Sequence, residues 1–522
     1  MQNVFNAEGE TLGKIELNGF YTMNIEMDIR LIDFHVFDSS DEDSSDDSSD
    51  GGGDGSKFTI QMFGMDEEGK TYTLFVENFK PFFYVRVRLK WSYADKIGFV
   101  NVLKKKVGKN GIHLAKFVLK KKLYGFDAGQ KYKFIALQFN NMKAFRKASK
   151  MWYKIIPDKN SSWGNRYVLR KEGYKFRGMA THIYESKIPP LLRYFHIQNI
   201  SPAGWIRANK VKISRQKNTT SDIEGRVKFQ NIEPLPHKED DVPLRICSYD
   251  IEASSSHGDF PVPKKTYERL AMDILDFWDN YEIDDAKDIL EGIVLTAFGY
   301  DTLEDIKKVF PKVQPSEEKV KTLVERWLGK PVSALTENAK YEKSTIQTIF
   351  DNETTEHEYG SRWKSKPRKK DTIVDLLENA KFKRADKLEI IDKTLSALFP
   401  RLEGDTVTFI GSSFRKNYEK EPYLNHCIVL GDCAPVKGAV IECYETEREC
   451  LLAWTALIQR ENPEIIAGYN ICGFDYRFML ERADELYCLD GFLKLSRNKG
   501  EICKVKNSSI KIASGVHNLK YV

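Results

Sequence analysis

Cysteine is scarce and unpaired in this sequence: eight residues in 522, the first at Cys247, and no two in a C-x-x-C spacing. Neither a zinc module nor a disulfide framework is indicated, which points to a soluble protein of a reducing compartment. Long apolar runs are missing as well. No stretch approaches the roughly 18 residues a membrane helix needs, so no membrane is expected among its partners. The opening MQNVFNAEGE has neither the basic nor the apolar part of a secretory signal. Net charge is nearly absent, since 81 basic and 76 acidic residues leave +5, so the distribution of charge says more than its total. What remains is ordinary globular usage, 41% hydrophobic and 12% aromatic, in a chain long enough for roughly two to four domains.

The first part of the chain predicts strands at Tyr21 to Phe37, Lys57 to Phe63, Thr71 to Val76 and in PFFYVRV at Pro81 to Val87. Between the first two, Asp38 to Ser56 has no residue able to enter a core and contains a glycine run, so a disordered acidic surface loop is expected, a phosphorylated tail being the sharper alternative. From Lys104 to Lys154 basic residues alternate with aromatics, as in Lys120-Lys121-Lys122-Leu123-Tyr124. Such a stretch suits a groove that tracks phosphates and stacks bases, or equally lysines on the wet faces of amphipathic elements. Asn140 or Asn141 is expected to cap a helix carrying Phe145, Ala148 and Trp152.

The chemistry concentrates in PLRICSYDIEA, Pro243 to Ala253. At period two, Ser248, Asp250 and Glu252 fall on one face of an expected buried strand, and Cys247, Tyr249 and Ile251 on the other. Two hard oxygen ligands at a strand end suit Mg²⁺ or Mn²⁺ rather than zinc, while an edge strand with two solvated acids is the bland alternative. After it, about Lys264 to Pro400 reads as charged helices with stripes at Leu270, Ile274 and Phe277, around Ile289 to Leu295 and at Ile373 to Leu377. It carries no recognisable chemistry, and a solvated helical bundle or a DNA- or partner-contacting insertion both fit. Strands return at Thr406 to Ser412, Asn425 to Leu430 and Gly438 to Tyr444. The capping box Thr446-x-x-Glu449 then opens a helix with Leu451, Trp454, Leu457 and Ile458, stopped by Asn462-Pro463. A second buried strand, Ile465 to Tyr469, follows in the order of a parallel crossover and ends in Asn470; Phe474-Asp475 opens the next helix. Asp250 and Asp475, 225 positions apart, are thereby expected to converge on one site.

SYDIEA at Ser248 to Ala253 and AGYNICGFDYRFMLERA at Ala467 to Ala483 resemble the first and second exonuclease motifs of family B DNA polymerases. The similarity extends to IGSSF at Ile410 to Phe414, to YETERECLLAWTALI at Tyr444 to Ile458, and back to PFFYVRV, YESKIPP and SPAGWI. SHGDFP after the first motif, the acidic loop and the long insertion look most like the polymerases of giant nucleocytoplasmic DNA viruses. The resemblance covers about residues 20 to 260 and 400 to 522.

That resemblance implies a mixed α/β and α+β chain: a β-rich amino-terminal domain over residues 1–240, then a ribonuclease-H-like 3'-5' exonuclease domain over 241–522, incomplete at its C-terminus and interrupted by a helical insertion at about 262–400. It implies two-metal hydrolysis with Mg²⁺ or Mn²⁺: Asp250 bridging two ions, Glu252 on the ion that activates water, Asp475 on the second, and Asn470 and Phe474 shaping the pocket for the terminal nucleotide. DNA is the implied partner, as a single-stranded 3' end or primer-template, with Lys120, Lys121 and Lys122 as weak DNA contacts. The setting is a host nucleus or a cytoplasmic viral replication site. Two departures qualify this. No Tyr-x-x-x-Asp follows Asp475, and Tyr281-x-x-x-Asp285 lies before the second motif; the palm motifs SLYPS and DTDS are absent too. The chain is therefore expected not to polymerise alone and to need a separate polypeptide carrying the third motif and palm, a sliding clamp being a further partner the family allows. A split polymerase, an interrupted gene and a truncated record all fit, and a non-catalytic DNA-binding or assembly module or a free-standing nuclease are the alternative functions.

Overall fold

A computed structural model of the chain describes residues 2–5, 11–15, 20–22, 26–39, 56–122, 128–157, 165–255, 260–281, 285–338, 371–512 and 515–521. It is a mixed α/β structure with several sheets, and it divides into two compact units: residues 1–245 with 416–418 and 497–499, and the remainder of 246–522.

In the first unit, alternation along Met27–Ser39, Lys57–Met65 and Thr71–Glu77 turns Ile29, Leu31, Ile60, Met62, Leu74 and Val76 into one core. These strands pair antiparallel within a ten-stranded sheet, and Ile223–Lys228 adds to Thr71–Glu77 in parallel. A second, five-stranded sheet runs Tyr174–Phe176, Met179–Tyr184, Phe82–Arg86, Lys131–Phe139, Ile112–Lys121. Helices Tyr93–Val107 and Met142–Ser149 cover one of its faces through Phe99, Leu103, Phe145 and Ala148, packed on Phe83, Val85, Ile135 and Leu137.

The acidic stretch is more ordered at its ends than its composition suggests. Asp38 accepts from the Met142 and Lys143 amides at 2.8 and 3.1 Å, and buried Ser56 accepts from Asn141 Nδ2 at 3.0 Å, so both ends are held at the start of the helix that Asn141 caps. Residues 40–55, the body of the expected loop, lie outside the described residues, as do Leu123, Tyr124 and the basic run 362–370.

The second unit contains a five-stranded sheet in the order Val440–Tyr444, Leu424–Leu430, Thr406–Lys416, Arg245–Ser254, Ile465–Ala467. Between its strands at 254 and 406 the helices Glu268–Asn280, Ala286–Ala297, Glu317–Gly329, Val332–Asn338, Ile373–Glu378 and Arg384–Leu398 gather around Ile274, Ile293, Val324, Trp327, Ile390 and Leu395. Where this helical segment leaves and rejoins the sheet, Val262 and Asp405 exchange hydrogen bonds: the Val262 amide donates to Asp405 Oδ2 at 2.8 Å and the Asp405 amide donates to the Val262 carbonyl at 2.9 Å. Lys265 Nζ adds a 2.7 Å contact to the same carboxylate. Among the described residues no helix is long and apolar enough to cross a membrane.

Candidate active site

The Arg245–Ser254 strand, expected to be buried, is buried on one face only. Cys247, Tyr249 and Ile251 pack beneath helices Glu447–Glu461 and Asp475–Glu485, with the Tyr249 ring 4.9 Å from Trp454 and 5.5 Å from Tyr476. Ser248, Asp250 and Glu252 therefore project from the uncovered face. The second strand is a three-residue edge strand, not a buried five-residue one: Ile246, Cys247 and Ser248 pair in parallel with Ile465, Ile466 and Ala467, and Tyr469 beyond it is 95% exposed. It ends early because Gly468 lies tight against the Tyr249 carbonyl and Asn470 takes a left-handed φ of 52°, turning the chain. The Asn470 carbonyl then accepts from the Gly473 and Phe474 amides at 2.9 and 3.0 Å, which sets the start of the helix that Asp475 opens.

That turn brings Asp475 beneath the end of the first strand. The Ile251 amide donates to Asp250 Oδ1 at 3.0 Å and to Asp475 Oδ1 at 3.3 Å, so two carboxylates from distant parts of the sequence meet at one N–H. Asp475 is 2% exposed. Burial, together with a hydrogen bond and charge repulsion from Asp250, pushes its carboxyl up to about 6, against a lowering pull from the amides around it. Asp475 therefore keeps its proton, hydrogen-bonded to Asp250, to a higher pH than an ordinary carboxyl does. Glu252 shares the face of Asp250 one side-chain repeat further along; its carbonyl accepts from Thr408 Oγ1 at 3.1 Å. Asp250 also lines a cleft of about 500 Å³ over the uncovered face, together with Ser248, Ser413, Asn425, Gly468 and Tyr469.

Asn470 is exposed, and Phe474 is half-buried with its ring 5.5 Å from Phe478 and 6.0 Å from Phe260. Phe260, 75% exposed beside this site, was missed by sequence reasoning. Its signal was an aromatic ten residues after Asp250 in an otherwise polar loop. The lysine run does not form one surface. Lys120 stands opposite Tyr132 in the ladder, Lys121 opposite Lys131 on the reverse side, and Lys122 Nζ sits 4.3 Å over the Tyr132 ring. The Tyr281 to Asp285 spacing runs across residues outside those described.

Beneath the site, Arg482 and Glu447 form a buried pair, Nη2 to Oε2 at 2.5 Å and Nε to Oε1 at 2.9 Å. Glu447 Oε1 also accepts the Val407 amide at 2.9 Å, and Arg482 Nη1 reaches Glu485 at 2.9 Å and the Pro263 carbonyl at 3.1 Å. The Asp475–Glu485 helix is thereby fixed to both the sheet and the start of the helical segment.

The family model for "DNA polymerase family B, exonuclease domain" matches residues 181–320 and 364–519. Between these two segments it leaves out residues 321–363. The DNA polymerase of Phaeocystis pouchetii virus is 35% identical over 94% of this chain and 51% of its own length. That of Pyramimonas orientalis virus is 28% identical over 94% of the chain and 39% of its own. The DNA polymerase delta catalytic subunit of Arabidopsis thaliana is 39% identical over 21% of the chain and 10% of its own. The chain thus spans about half the length of the first of these relatives and less of the others.

Proposed function

The chain belongs to the exonuclease-domain family of the family B DNA polymerases, and from that premise we propose that its second unit is a ribonuclease-H-like 3'-5' exonuclease that proofreads DNA during viral replication. The observation that carries this is the meeting of Asp250 and Asp475 at the Ile251 amide. We take residues 1–240 as the amino-terminal polymerase domain, 241–522 as the exonuclease domain and about 262–400 as its helical insertion.

The donor types suit a divalent cation, but among the described residues no three acids are grouped closely enough to hold one: Asp250 and Asp475 meet, and Glu252 stands one side-chain repeat further along. Asp250, Glu252 and Asp475 offer only hard oxygens, suited to Mg²⁺ or Mn²⁺, and burial, with the hydrogen bond and nearby charge of Asp250, raises the carboxyl of Asp475. When bound there, such ions supply an activated water and offset the charge of the scissile phosphate and leaving 3'-oxygen. The chain's own residues do the rest. The Ile251 N–H orients both aspartates. Phe474 and exposed Phe260 present two rings to grip the terminal base, and Asn470 holds the turn that places Phe474. The cleft beside Asp250 receives the strand behind it. No covalent nucleophile is needed.

A third motif is not among these residues after Asp475. We infer that a further carboxylate and a water-orienting phenol come from a segment outside them, on the same or another polypeptide together with the palm. The test is metal-dependent release of 3' mononucleotides from a labelled single strand, with and without a polypeptide supplying that motif. We expect little release alone, since misplacing the attacking water forfeits several kcal/mol, recovery with the added polypeptide, and loss again with Asp250→Ala. Full activity of the isolated chain would favour a free-standing nuclease. No activity in any combination would favour an assembly module.

A further inference from the structure

In the first unit the antiparallel ribbon Tyr153–Pro157 and Asn165–Leu169 stands by itself: among the described residues neither strand pairs with any other. Its base is fixed. The Arg170 amide donates to the Trp152 carbonyl at 2.8 Å and Arg170 Nε to the Tyr153 carbonyl at 3.3 Å. Trp152 itself is fully buried, and its Nε1 donates to the Thr181 carbonyl at 3.1 Å. The ladder sets Tyr153 opposite Leu169 and Ile155 opposite Tyr167, so these four side chains share one face as a compact apolar patch. The patch lies open to solvent, with Ile155 58% exposed, Tyr167 50% and Leu169 46%.

Size and charge decide what would cover it. An isolated two-stranded ribbon is marginal in water, and a helix laid on its apolar face is one way to stabilise it. Two strands make a ribbon about 10 Å wide, which is the width of one helix, and five residues of strand span about 17 Å, the length of roughly eleven helical residues. The charge is of one sign: residues 150–157 and 165–171 carry five cations, Lys150, Lys154, Arg166, Arg170 and Lys171, and no acid. Lys150 Nζ lies 5.1 Å over the Tyr167 ring, at the margin of the patch itself. A second copy of the chain would set five more cations against these, and like-charge contact disfavours it. Ile155 and Leu169 are aliphatic and offer no π face to a base, which separates the patch from a nucleic-acid platform.

We propose that this ribbon docks one amphipathic helix of an acidic partner protein, its apolar stripe laid on Tyr153, Ile155, Tyr167 and Leu169 and its rim of Asp and Glu facing Lys150 and Arg170. The inference rests on the first unit alone and stands apart from the exonuclease reading, whose nuclease assay does not bear on it. It also gives the two faces of the ribbon different tasks, since Lys154, Ile156, Arg166 and Val168 lie on the reverse side.

The test is fluorescence anisotropy of the full chain with three labelled peptides of about four helical turns, each locked as a helix by side-chain lactams. One has a Leu stripe with Glu rims, the second the same stripe with Lys rims, and the third the composition of the first with its stripe scrambled. The Glu-rimmed peptide should bind at least about tenfold tighter than either of the others. Ile155→Ser combined with Leu169→Ser should remove about that tenfold, whereas Ile156→Ser on the reverse face should change affinity less than about twofold. Hydrogen exchange of the unsubstituted chain keeps the test independent of how the variants fold: the Glu-rimmed peptide should slow exchange at the amides of residues 153–156 and 166–169. Equal binding of the first and third peptides, or protection elsewhere with none in the ribbon, would overturn the proposal. So would a dimer in sedimentation that Ile155→Ser dissolves, which assigns the patch to a second copy, or a single-stranded oligonucleotide that protects the same amides, which assigns it to nucleic acid.

Discussion

Asp475→Asn is expected to make the metal-free chain more stable, in a way that depends on pH with a definite sign. An acid whose carboxyl is raised on folding holds its proton more tightly in the folded state. It therefore costs nothing below the unfolded value near 3.8, a growing amount between about 4 and 6, and its full amount above. The shift from 3.8 to about 6 is roughly two units, and at 1.36 kcal/mol per unit the penalty at pH 7.5 is about 3 kcal/mol. Asparagine cannot ionise, keeps an oxygen for the Ile251 N–H and offers Asp250 an N–H donor in place of the shared proton. Urea unfolding of both proteins in EDTA from pH 4 to pH 8 should show the two curves meeting near pH 4. The variant should lead by about 3 kcal/mol at pH 7.5. Adding Mn²⁺ should close the gap by stabilising the parent alone, by about 2.7 kcal/mol at a hundred times its dissociation constant. A difference that is constant across pH, or a parent that loses stability relative to the variant as pH falls through 6, would refute the reasoning.

Arg482→Ala should cost about 3–5 kcal/mol, because Glu447 is left charged and buried, whereas Arg477→Ala, which breaks an exposed helical pair with Glu481, should cost under about 0.5 kcal/mol; thermal unfolding compares them. Gly468→Ala would place a Cβ 2.2 Å from Ile471 and 2.8 Å from the Tyr249 carbonyl, so the Asn470 turn must shift and calorimetric Mn²⁺ affinity should fall at least tenfold. Asp38→Ala removes the acceptor for two amides at the start of the Met142–Ser149 helix, and about 0.5–2 kcal/mol of protection should disappear from Met142 and Lys143 in hydrogen exchange.

The two acidic motifs were legible because each carries its own geometry. Period two fixed the common face of Asp250 and Glu252, and the capping box, the Asn462-Pro463 stop and the crossover together carried Asp475 back to Asp250. Which face of the Asp250 strand is covered was not legible. Both faces mix apolar and polar residues, and the choice depends on where Trp454 and Tyr476 arrive from later in the chain. The edge position of Ile465–Ala467 was hidden for a similar reason, since IIA reads as apolar whether or not a strand lies beyond it. Phe260 was invisible because its ring contact is with Phe474, 214 positions away, with no local pattern between them. The lysine run is the converse case: adjacent in sequence, Lys120 and Lys121 are put on opposite faces by the same alternation that aligned the two acids.

The mutual hydrogen bonds of Val262 and Asp405 bear on how the chain assembles in time. Joining the Arg245–Ser254 strand to Thr406–Lys416 across some 150 unstructured residues carries a loop-closure entropy of about 4 kcal/mol, so early pairing is disfavoured. The intervening helices make their contacts largely among themselves and form faster than a sheet of distant strands. Once they have condensed, they deliver Val262 and Asp405 to hydrogen-bonding distance, and strand pairing becomes in effect a local step. The acids of Asp250 and Glu252 are then completed last, and a substitution that loosens the helical core should first be seen as slow or aborted maturation of the sheet rather than as a change in its final form.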